Sequence, residues 1–288
     1  MKTTTDPSER PDEDTYAGSR SENEYSRLRL QHEFIKYTMA GELVLAPIDF
    51  RKSGLRVLDS ATGDGYWLVD LAAQLGPTNE LVGADIAPQH FIPTDELPAN
   101  ISLRTHNIFE SWPADMQKTF DLVHQRFVLM ACNDANSVEA IRYLGECVKP
   151  GGWIQLHDGD MQTIEDGPMH PAMERFREIV RTGFRMMGFN LSPGPKLVKW
   201  LTEAGFANVE ERILTIKCGK SSADANQGEK VTKMLLAVLE NMIGLSQNVP
   251  GFPYSMQEIQ DLKPELEAEL SLVGNHYKTH VVWAQKPF

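Results

Sequence analysis

The chain has 288 residues, of which 41% are hydrophobic and 24% are charged, and its formal net charge is −12. This composition is typical of a globular protein long enough for one large domain, and the negative charge argues against a nucleic-acid partner, because such proteins usually carry a basic face. No apolar run approaches the ~18 residues of a membrane span, and three cysteines without a C-x-x-C pair indicate a reducing compartment, taken as cytoplasmic, with neither a disulfide frame nor a zinc site.

The chain opens with a polar segment that is followed by a helix. Residues 1–21 are rich in Asp, Glu, Thr and Pro, which predicts a disordered acidic tail. A helix is predicted from Glu22, because large side chains recur every three or four residues, at Tyr25, Leu28, His32, Ile35 and Met39. Pro47 closes this segment.

Strands and helices then alternate as far as the end of the chain. Strands are predicted over residues 55–59, 80–85, 101–105, 119–125, 152–158, 207–217 and 278–285. Helices are predicted over residues 66–75, 135–148, 171–187, 195–204, 229–243 and 256–272, the last of them interrupted by Pro264. Residues 88–99 contain three prolines and are expected to form a loop or a broken helix. This alternation predicts an α/β fold with a doubly wound sheet, and residues 22–288 as a single domain.

A glycine turn follows the first strand, and an acidic residue ends the second. The turn reads Val-Leu-Asp-Ser-Ala-Thr-Gly-Asp-Gly over residues 57–65, so that Asp59 ends its strand, and Asp85 ends the next. In an open α/β sheet, ligands bind outside the carboxyl ends of the strands, where a glycine turn lets backbone N–H groups approach them. An acidic residue at the second strand end can hold the two hydroxyls of a ribose. The pair therefore predicts a cofactor that contains a nucleoside.

The spacing of the glycines indicates which cofactor this is. In the dinucleotide fingerprint G-x-G-x-x-G/A, Gly63 and Gly65 fill the first two positions, but the third falls on Leu68, whose bulk opposes close packing of helix and strand. A phosphate-binding P-loop is also absent, because Leu214 stands where its first glycine belongs. The pattern D-x-A-x-G-x-G instead resembles D-x-G-x-G-x-G, the first motif of class I S-adenosylmethionine (SAM) methyltransferases.

Further motifs in the expected order extend this resemblance over nearly the whole chain after residue 22. Together they resemble the fungal LaeA/UMTA-type methyltransferase family of secondary metabolism. The motifs are Arg27-Leu-Arg-Leu-Gln-His32, Leu45-Ala-Pro-Ile48, Val57-Leu-Asp59, Gly83-Ala-Asp85-Ile-Ala-Pro88, Phe120-Asp-Leu-Val-His-Gln-Arg126, Lys149-Pro-Gly-Gly-Trp153 and Val281-Val-Trp-Ala-Gln-Lys-Pro287.

The resemblance implies a Rossmann-like seven-stranded sheet whose last strand is antiparallel, with SAM lying across the tips of the first four strands. It also implies an N-terminal helical cover over residues 22–47. Residues 219–275 are not needed for the sheet and could form a helical lid, in which Met234, Met242 and Met256 either line an apolar acceptor site or simply pack the helices. The residues implied to contact SAM are Tyr25, Gln31, His32, Asp59, Ala61, Gly63, Gly65, Asp85, Ile86, Asn107, Ile108, His124, Gln125 and Arg126.

Three positions depart from the family pattern. Ala61 replaces the first glycine of the turn, Ser60 replaces an apolar residue, and Asn107 replaces an acidic one. We expect an alanine at position 61 to fit only with a negative φ and with room for its methyl group.

The sulfonium of SAM makes its methyl group electrophilic, so the protein must align a nucleophile, exclude water and, for some acceptors, remove a proton. Histidines are the candidate bases near neutral pH. His157, followed by Asp158 and Asp160, comes after the fifth strand where an acceptor is expected, although a polar strand end is the simpler interpretation. His124 is the second candidate and could equally orient SAM. No metal is predicted, since one short loop makes a poor site by itself.

The first hypothesis is a SAM-dependent methyltransferase that acts on a small, apolar natural product, with oxygen preferred over nitrogen as the acceptor atom. The second is a cyclase or pericyclase on the same fold. The third is a non-enzymatic, LaeA-like regulator. Neither a nucleic acid nor a membrane is expected as a partner, and the oligomeric state is left open.

Overall fold

The computed structural model describes residues 22–288, and the predicted tail over residues 1–21 lies outside them. Each predicted strand and helix has a counterpart in the structure, with ends that differ by a few residues. The strands are β1 (Arg56–Ser60), β2 (Glu80–Asp85), β3 (Ile101–Thr105), β4 (Phe120–Arg126), β5 (Val148–Asp160), β6 (Ala207–Cys218) and β7 (Asn275–Gln285). The helices are α1 (Glu22–Thr38), α2 (Tyr66–Ala72), α3 (Asp134–Cys147), α4 (Pro171–Met186), α5 (Leu197–Glu203), α6 (Ala225–Asn248) and α7 (Met256–Leu272).

The seven strands form one sheet in the order β3-β2-β1-β4-β5-β7-β6. Strand β7 runs antiparallel to both of its neighbours, whereas β1 to β5 pair in parallel. This confirms the predicted doubly wound α/β sheet with an antiparallel last strand. The strand order reverses between β1 and β4, and at such a point the carboxyl ends of the strands leave a crevice in which ligands bind.

Helices cover both faces of the sheet, because consecutive strand residues are apolar and face opposite sides. Val57 and Leu122 pack on the side of α1, α2, α4, α6 and α7. Leu58 and Val123 pack on the side of α3 and α5. All four side chains are at most 1% exposed, so the sheet is the centre of the core.

Pro264 does not interrupt the last helix, which corrects the prediction from sequence. Helix α7 is continuous from Met256 to Leu272 with Pro264 inside it. Proline removes one backbone donor, but apolar side chains on both sides of it are fully buried in the same core, namely Ile259, Leu262, Leu266 and Leu270. A capping box between Ser255 and Glu258 also stabilises the helix start.

None of the helices within residues 22–288 is long and apolar enough to cross a membrane. The three cysteines, Cys132, Cys147 and Cys218, are buried free thiols.

Candidate functional site

The turn after β1 has a left-handed backbone at three positions. Ala61 has a φ of 52°, and Gly63 and Gly65 have φ values of 65° and 94°. The expectation that an alanine at position 61 needs a negative φ is therefore wrong. The turn is closed by a hydrogen bond from the backbone N–H of Thr62 to the carbonyl of Ala84 on β2 (3.0 Å), so Ala61 adopts the conformation that glycine would have at this position. Left-handed backbone costs a non-glycine residue about 1–2 kcal/mol.

The close approach of α2 to the sheet depends on Gly83 of β2. A Cβ at Gly83 would lie 2.5 Å from a methyl carbon of Leu103 and 2.9 Å from one of Leu68. Leu68 is fully buried over this glycine. Leu68, whose bulk does not fit the dinucleotide pattern, can therefore pack against β2 because Gly83 has no side chain there.

Asp85 ends β2 with both of its carboxylate oxygens in use. Its Oδ2 accepts a hydrogen bond from the backbone N–H of Gly63 (2.9 Å), and its Oδ1 accepts one from that of Ala87 (3.0 Å). The carboxylate is therefore held rigidly at the strand tip.

Asp59 is the next-to-last residue of β1 and is held by two neighbours. Its Oδ2 accepts from the Thr62 hydroxyl (2.6 Å), and its Oδ1 lies 2.7 Å from Nδ1 of His124 on β4. The His124 ring also stacks on Trp67, with the ring centroids 3.8 Å apart. Burial lowers the pKa of His124, so its neutral ring donates through Nδ1 to the carboxylate.

Helix α1 joins the strand tips through His32. Its Nε2 lies 2.7 Å from Oδ2 of Asp70, and its Nδ1 lies 2.9 Å from a guanidinium nitrogen of Arg126 at the end of β4. Burial, followed by the charge of Arg126, lowers the pKa of His32 to about 4. The neutral ring therefore donates to Asp70 and accepts from Arg126. Arg126 remains charged at neutral pH, although burial lowers its pKa to about 10.

These groups surround a cavity of about 310 Å³. Its polar half lies at the tips of β1, β2 and β4 beneath α1. It contains ten of the residues that the family resemblance implies, namely Gln31, His32, Asp59, Ala61, Gly63, Asp85, Ile86, Asn107, Ile108 and Arg126.

Four of the residues that the resemblance implies to contact SAM do not line the cavity. Tyr25 packs over the glycine turn and stacks on His90, with the ring centroids 4.4 Å apart. Gly65 caps α2 in a left-handed conformation. His124 holds Asp59 as described above. Gln125 faces the opposite side of β4, where its amide donates to the Ser60 hydroxyl (3.2 Å), and this pairing explains how a polar residue is accommodated at position 60.

The second half of the cavity is apolar. It is lined from the loop after β4 and from helices α4 and α6, by residues that include Met130, Cys132, Phe176, Val180, Phe184, Met234, Leu235, Val238 and Met242. Met234 and Met242 thus belong both to the core and to the cavity wall. Met256 is 42% exposed and does not line the cavity.

His157, the base suggested by the sequence, lies outside the cavity. Its Nε2 is 2.8 Å from the Thr279 hydroxyl, and its ring is covered by Phe127, with centroids 4.8 Å apart. Burial lowers the pKa of His157 well below 6.5, so the ring is neutral. A buried ring behind Phe127 has no direct access to a substrate, which argues against a role for His157 as the general base.

Asp158 faces the other side of β5 and anchors the loop after β4. Its Oδ2 accepts from the backbone N–H of Leu129 and its Oδ1 from that of Gly159, both at 3.0 Å. Burial raises the pKa of Asp158 to about 7. The anchored loop presents Met130 and Cys132 to the apolar half of the cavity.

Several cavity residues were not expected from the sequence. They are Arg27 and Arg29 on α1, His106 after β3, Phe127 after β4, Asn241 on α6 and Tyr277 on β7. Arg27 belongs to a quoted family motif, so its helical spacing from Gln31 could have indicated it. Asn241 and Tyr277 carry no such signal, because they enter the cavity only through the packing of α6 and β7.

The sequence of this chain matches known proteins over the residues that form this cavity. Residues 30–211 match the family described as a methyltransferase domain. The chain belongs to this methyltransferase family. It is 38% identical over 269 residues to N-methyltransferase tcpN of Claviceps purpurea (93% of this chain and 96% of the relative). It is 35% identical over 277 residues to N-methyltransferase sirN of Leptosphaeria maculans (96% of each chain). It is 31% identical over 280 residues to N-methyltransferase gliN of Aspergillus fumigatus (96% of this chain and 98% of the relative).

Solved structures support the fold. A protein assigned as a methyltransferase from an antibiotic biosynthesis pathway of Anabaena variabilis superposes with a TM-score of 0.54 at 12% identity, covering 81% of this chain and 91% of that one. The predicted SAM-dependent methyltransferase, with SAM as its cofactor, is therefore confirmed by the family and its relatives, and the superposition supports the Rossmann-like fold. The expected preference for oxygen over nitrogen is not supported, because the relatives are named N-methyltransferases.

Proposed function

We propose that this methyltransferase transfers the methyl group of SAM to a nitrogen atom of a small, uncharged and largely apolar acceptor. The observation that carries the proposal is one cavity with two chemically different halves. Its polar half has carboxylates at the tips of β1 and β2, and its apolar half lies under α4 and α6. The names of the relatives support nitrogen as the acceptor atom.

The side chains of the polar half fit SAM. Asp85 is oriented to accept from the ribose hydroxyls, and Ile86 and Ile108 offer apolar surface to the adenine. Arg126 lines the cavity as a cation. Within residues 22–288 its side chain donates a hydrogen bond to the neutral ring of His32, and no carboxylate there lies within ion-pair distance of it. We assign it to the carboxylate of the methionine part. When bound, SAM supplies an electrophilic methyl group on its sulfonium.

The apolar half favours a nitrogen acceptor for a physical reason. Among the described residues that line it there is no histidine, aspartate or glutamate. A hydroxyl needs a base to become a good nucleophile, whereas a neutral nitrogen already presents its lone pair. Burial in apolar surroundings also holds an amine in its neutral form. The cavity therefore contributes alignment and the exclusion of water.

The test is methyl transfer from methyl-deuterated SAM to two matched model acceptors that differ only in the acceptor atom, 6-amino-1-indanone and 6-hydroxy-1-indanone, followed by mass spectrometry. We expect labelled methyl on the amine and little on the phenol. Label on the phenol alone, or binding of SAM without transfer to either compound, would contradict the proposal. Val238→Trp is the matched control, since a large ring in the apolar half should block transfer while SAM still binds.

A further inference from the structure

Tyr277 places a hydroxyl in the apolar half of the cavity. The residue lies on β7, its side chain is 6% exposed, and it lines the cavity together with Met234 and Phe176. Within residues 22–288 its hydroxyl makes no hydrogen bond to another group. Buried tyrosine hydroxyls usually have a hydrogen-bond partner, so a ligand is the natural partner for this one.

Three further polar side chains that line the cavity, those of Arg27, Asn241 and Cys132, already have partners. Arg27 donates from Nε to both carboxylate oxygens of Glu24 (3.0 Å each) and from a terminal nitrogen to one of them (2.7 Å). The amide nitrogen of Asn241 donates to the same carboxylate (3.1 Å), and the thiol of Cys132 lies 3.7 Å from the Val128 carbonyl. The positive charge at this end of the cavity is thus balanced, and a charged acceptor would have to bury its charge without a partner.

The Tyr277 hydroxyl is suited to donate rather than to act as a base. Burial raises its pKa well above 10, and the nearby charge of Arg27 only partly opposes this effect. The phenol therefore keeps its proton at physiological pH. A buried O–H directed at a ligand requires an acceptor atom on that ligand.

We propose that Tyr277 is a specificity-determining residue, which donates a hydrogen bond to a carbonyl oxygen of a neutral acceptor and so selects apolar acceptors that carry such an oxygen. This inference rests on the proposed function, because it assigns the apolar half to the acceptor. An aliphatic or aromatic amine without this oxygen would leave the hydroxyl buried and unpaired, which costs affinity.

Binding of two neutral probes tests the inference without requiring turnover. The probes are 1-indanone and indane, which differ by a carbonyl in place of a methylene, and binding is measured by calorimetry on protein saturated with S-adenosylhomocysteine. Tyr277→Phe should weaken 1-indanone binding by about three- to tenfold, the value of one neutral hydrogen bond, and should leave indane binding unchanged. Tyr143→Phe on α3 removes a hydroxyl outside the cavity and should change neither.

Two results would overturn the inference. One is equal binding of 1-indanone by the wild type and Tyr277→Phe, and the other is failure of the wild type to bind either probe. Failure of the proposed function is visible separately, as an absence of labelled methyl transfer in a protein that binds 1-indanone through Tyr277. Thermal unfolding of Tyr277→Phe provides a check on folding, and we expect no loss of stability, since the hydroxyl has no protein partner to lose.

Discussion

Asp85 should be needed for SAM binding, and asparagine should replace it poorly. Both carboxylate oxygens accept backbone N–H groups, from Gly63 and from Ala87. An asparagine has one carbonyl oxygen, so its amide N–H₂ would face one of these N–H donors. Asp85→Ala removes the charge-assisted hydrogen bonds to the ribose, worth ~1.5–3 kcal/mol, which corresponds to a dissociation constant about 10- to 150-fold higher. Asp85→Asn should fall within the same range.

Titration calorimetry with SAM measures both variants against the wild type. Asp121→Ala is the matched control: Asp121 also accepts a backbone N–H, from Arg56 (3.0 Å), but it does not line the cavity. The control should lower stability without changing SAM affinity. Wild-type affinity in Asp85→Asn would refute the assignment of both carboxylate oxygens, and wild-type affinity in Asp85→Ala would refute the location of the ribose.

Three further variants test the surroundings of the cavity. The pKa of His32 is about 4 in the folded protein, against an ordinary value of 6.5, so the unfolded chain binds more protons between these two pH values. The free energy of unfolding should therefore fall by ~3 kcal/mol as the pH drops from about 6.5 to about 4. His32→Gln should make this fall shallower in urea unfolding measured from pH 7 to pH 4. His124→Leu removes the donor to Asp59 and should weaken SAM binding about tenfold, the cost of a hydrogen bond to a charged group, whereas His124→Asn should retain most of the affinity. Ala61→Gly relieves the left-handed backbone and should leave thermal stability equal or raised by up to ~1 kcal/mol, while Ala61→Val should lower it by more than that.

Each of these variants has an outcome that contradicts its explanation. An unchanged slope in His32→Gln would mean that this histidine is not buried in its neutral form. Loss of turnover in His124→Asn with intact SAM affinity would restore His124 as a candidate base. Higher stability of Ala61→Val than of Ala61→Gly would show that the turn is not left-handed at this position.

The cofactor half of the site could be predicted from sequence because its signals are local. Asp59 and Asp85 lie at or next to the end of a short apolar strand, and the parallel pairing of β1 with β2 brings both ends to one edge of the sheet. Gly63 and Gly65 mark the turn directly, since glycine is favoured in left-handed backbone. The conformation of Ala61 was missed because it is imposed by the bond from Thr62 to Ala84, a contact between two strands rather than a property of the residue itself.

The acceptor half depends on contacts between distant parts of the chain. The sequence places His157 after the fifth strand, but β5 continues to Asp160 and His157 lies within it. The ring is covered by Phe127, whose φ of 54° could not be predicted for a non-glycine residue. Tyr277 lies one residue before the predicted last strand, and nothing in the sequence distinguishes it from an ordinary core residue. It becomes part of a cavity only because α6, inserted between β6 and β7, packs against α1 and α4.

We expect SAM to occupy the polar half of this cavity and the acceptor to occupy the apolar half. A crystal structure of the protein with S-adenosylhomocysteine and 1-indanone should show whether they do. The ribose should lie on Asp85, the amino-acid carboxylate on Arg126 and the indanone beside Tyr277. Adenosine bound away from Asp85, or 1-indanone bound outside the apolar half, would contradict this expectation.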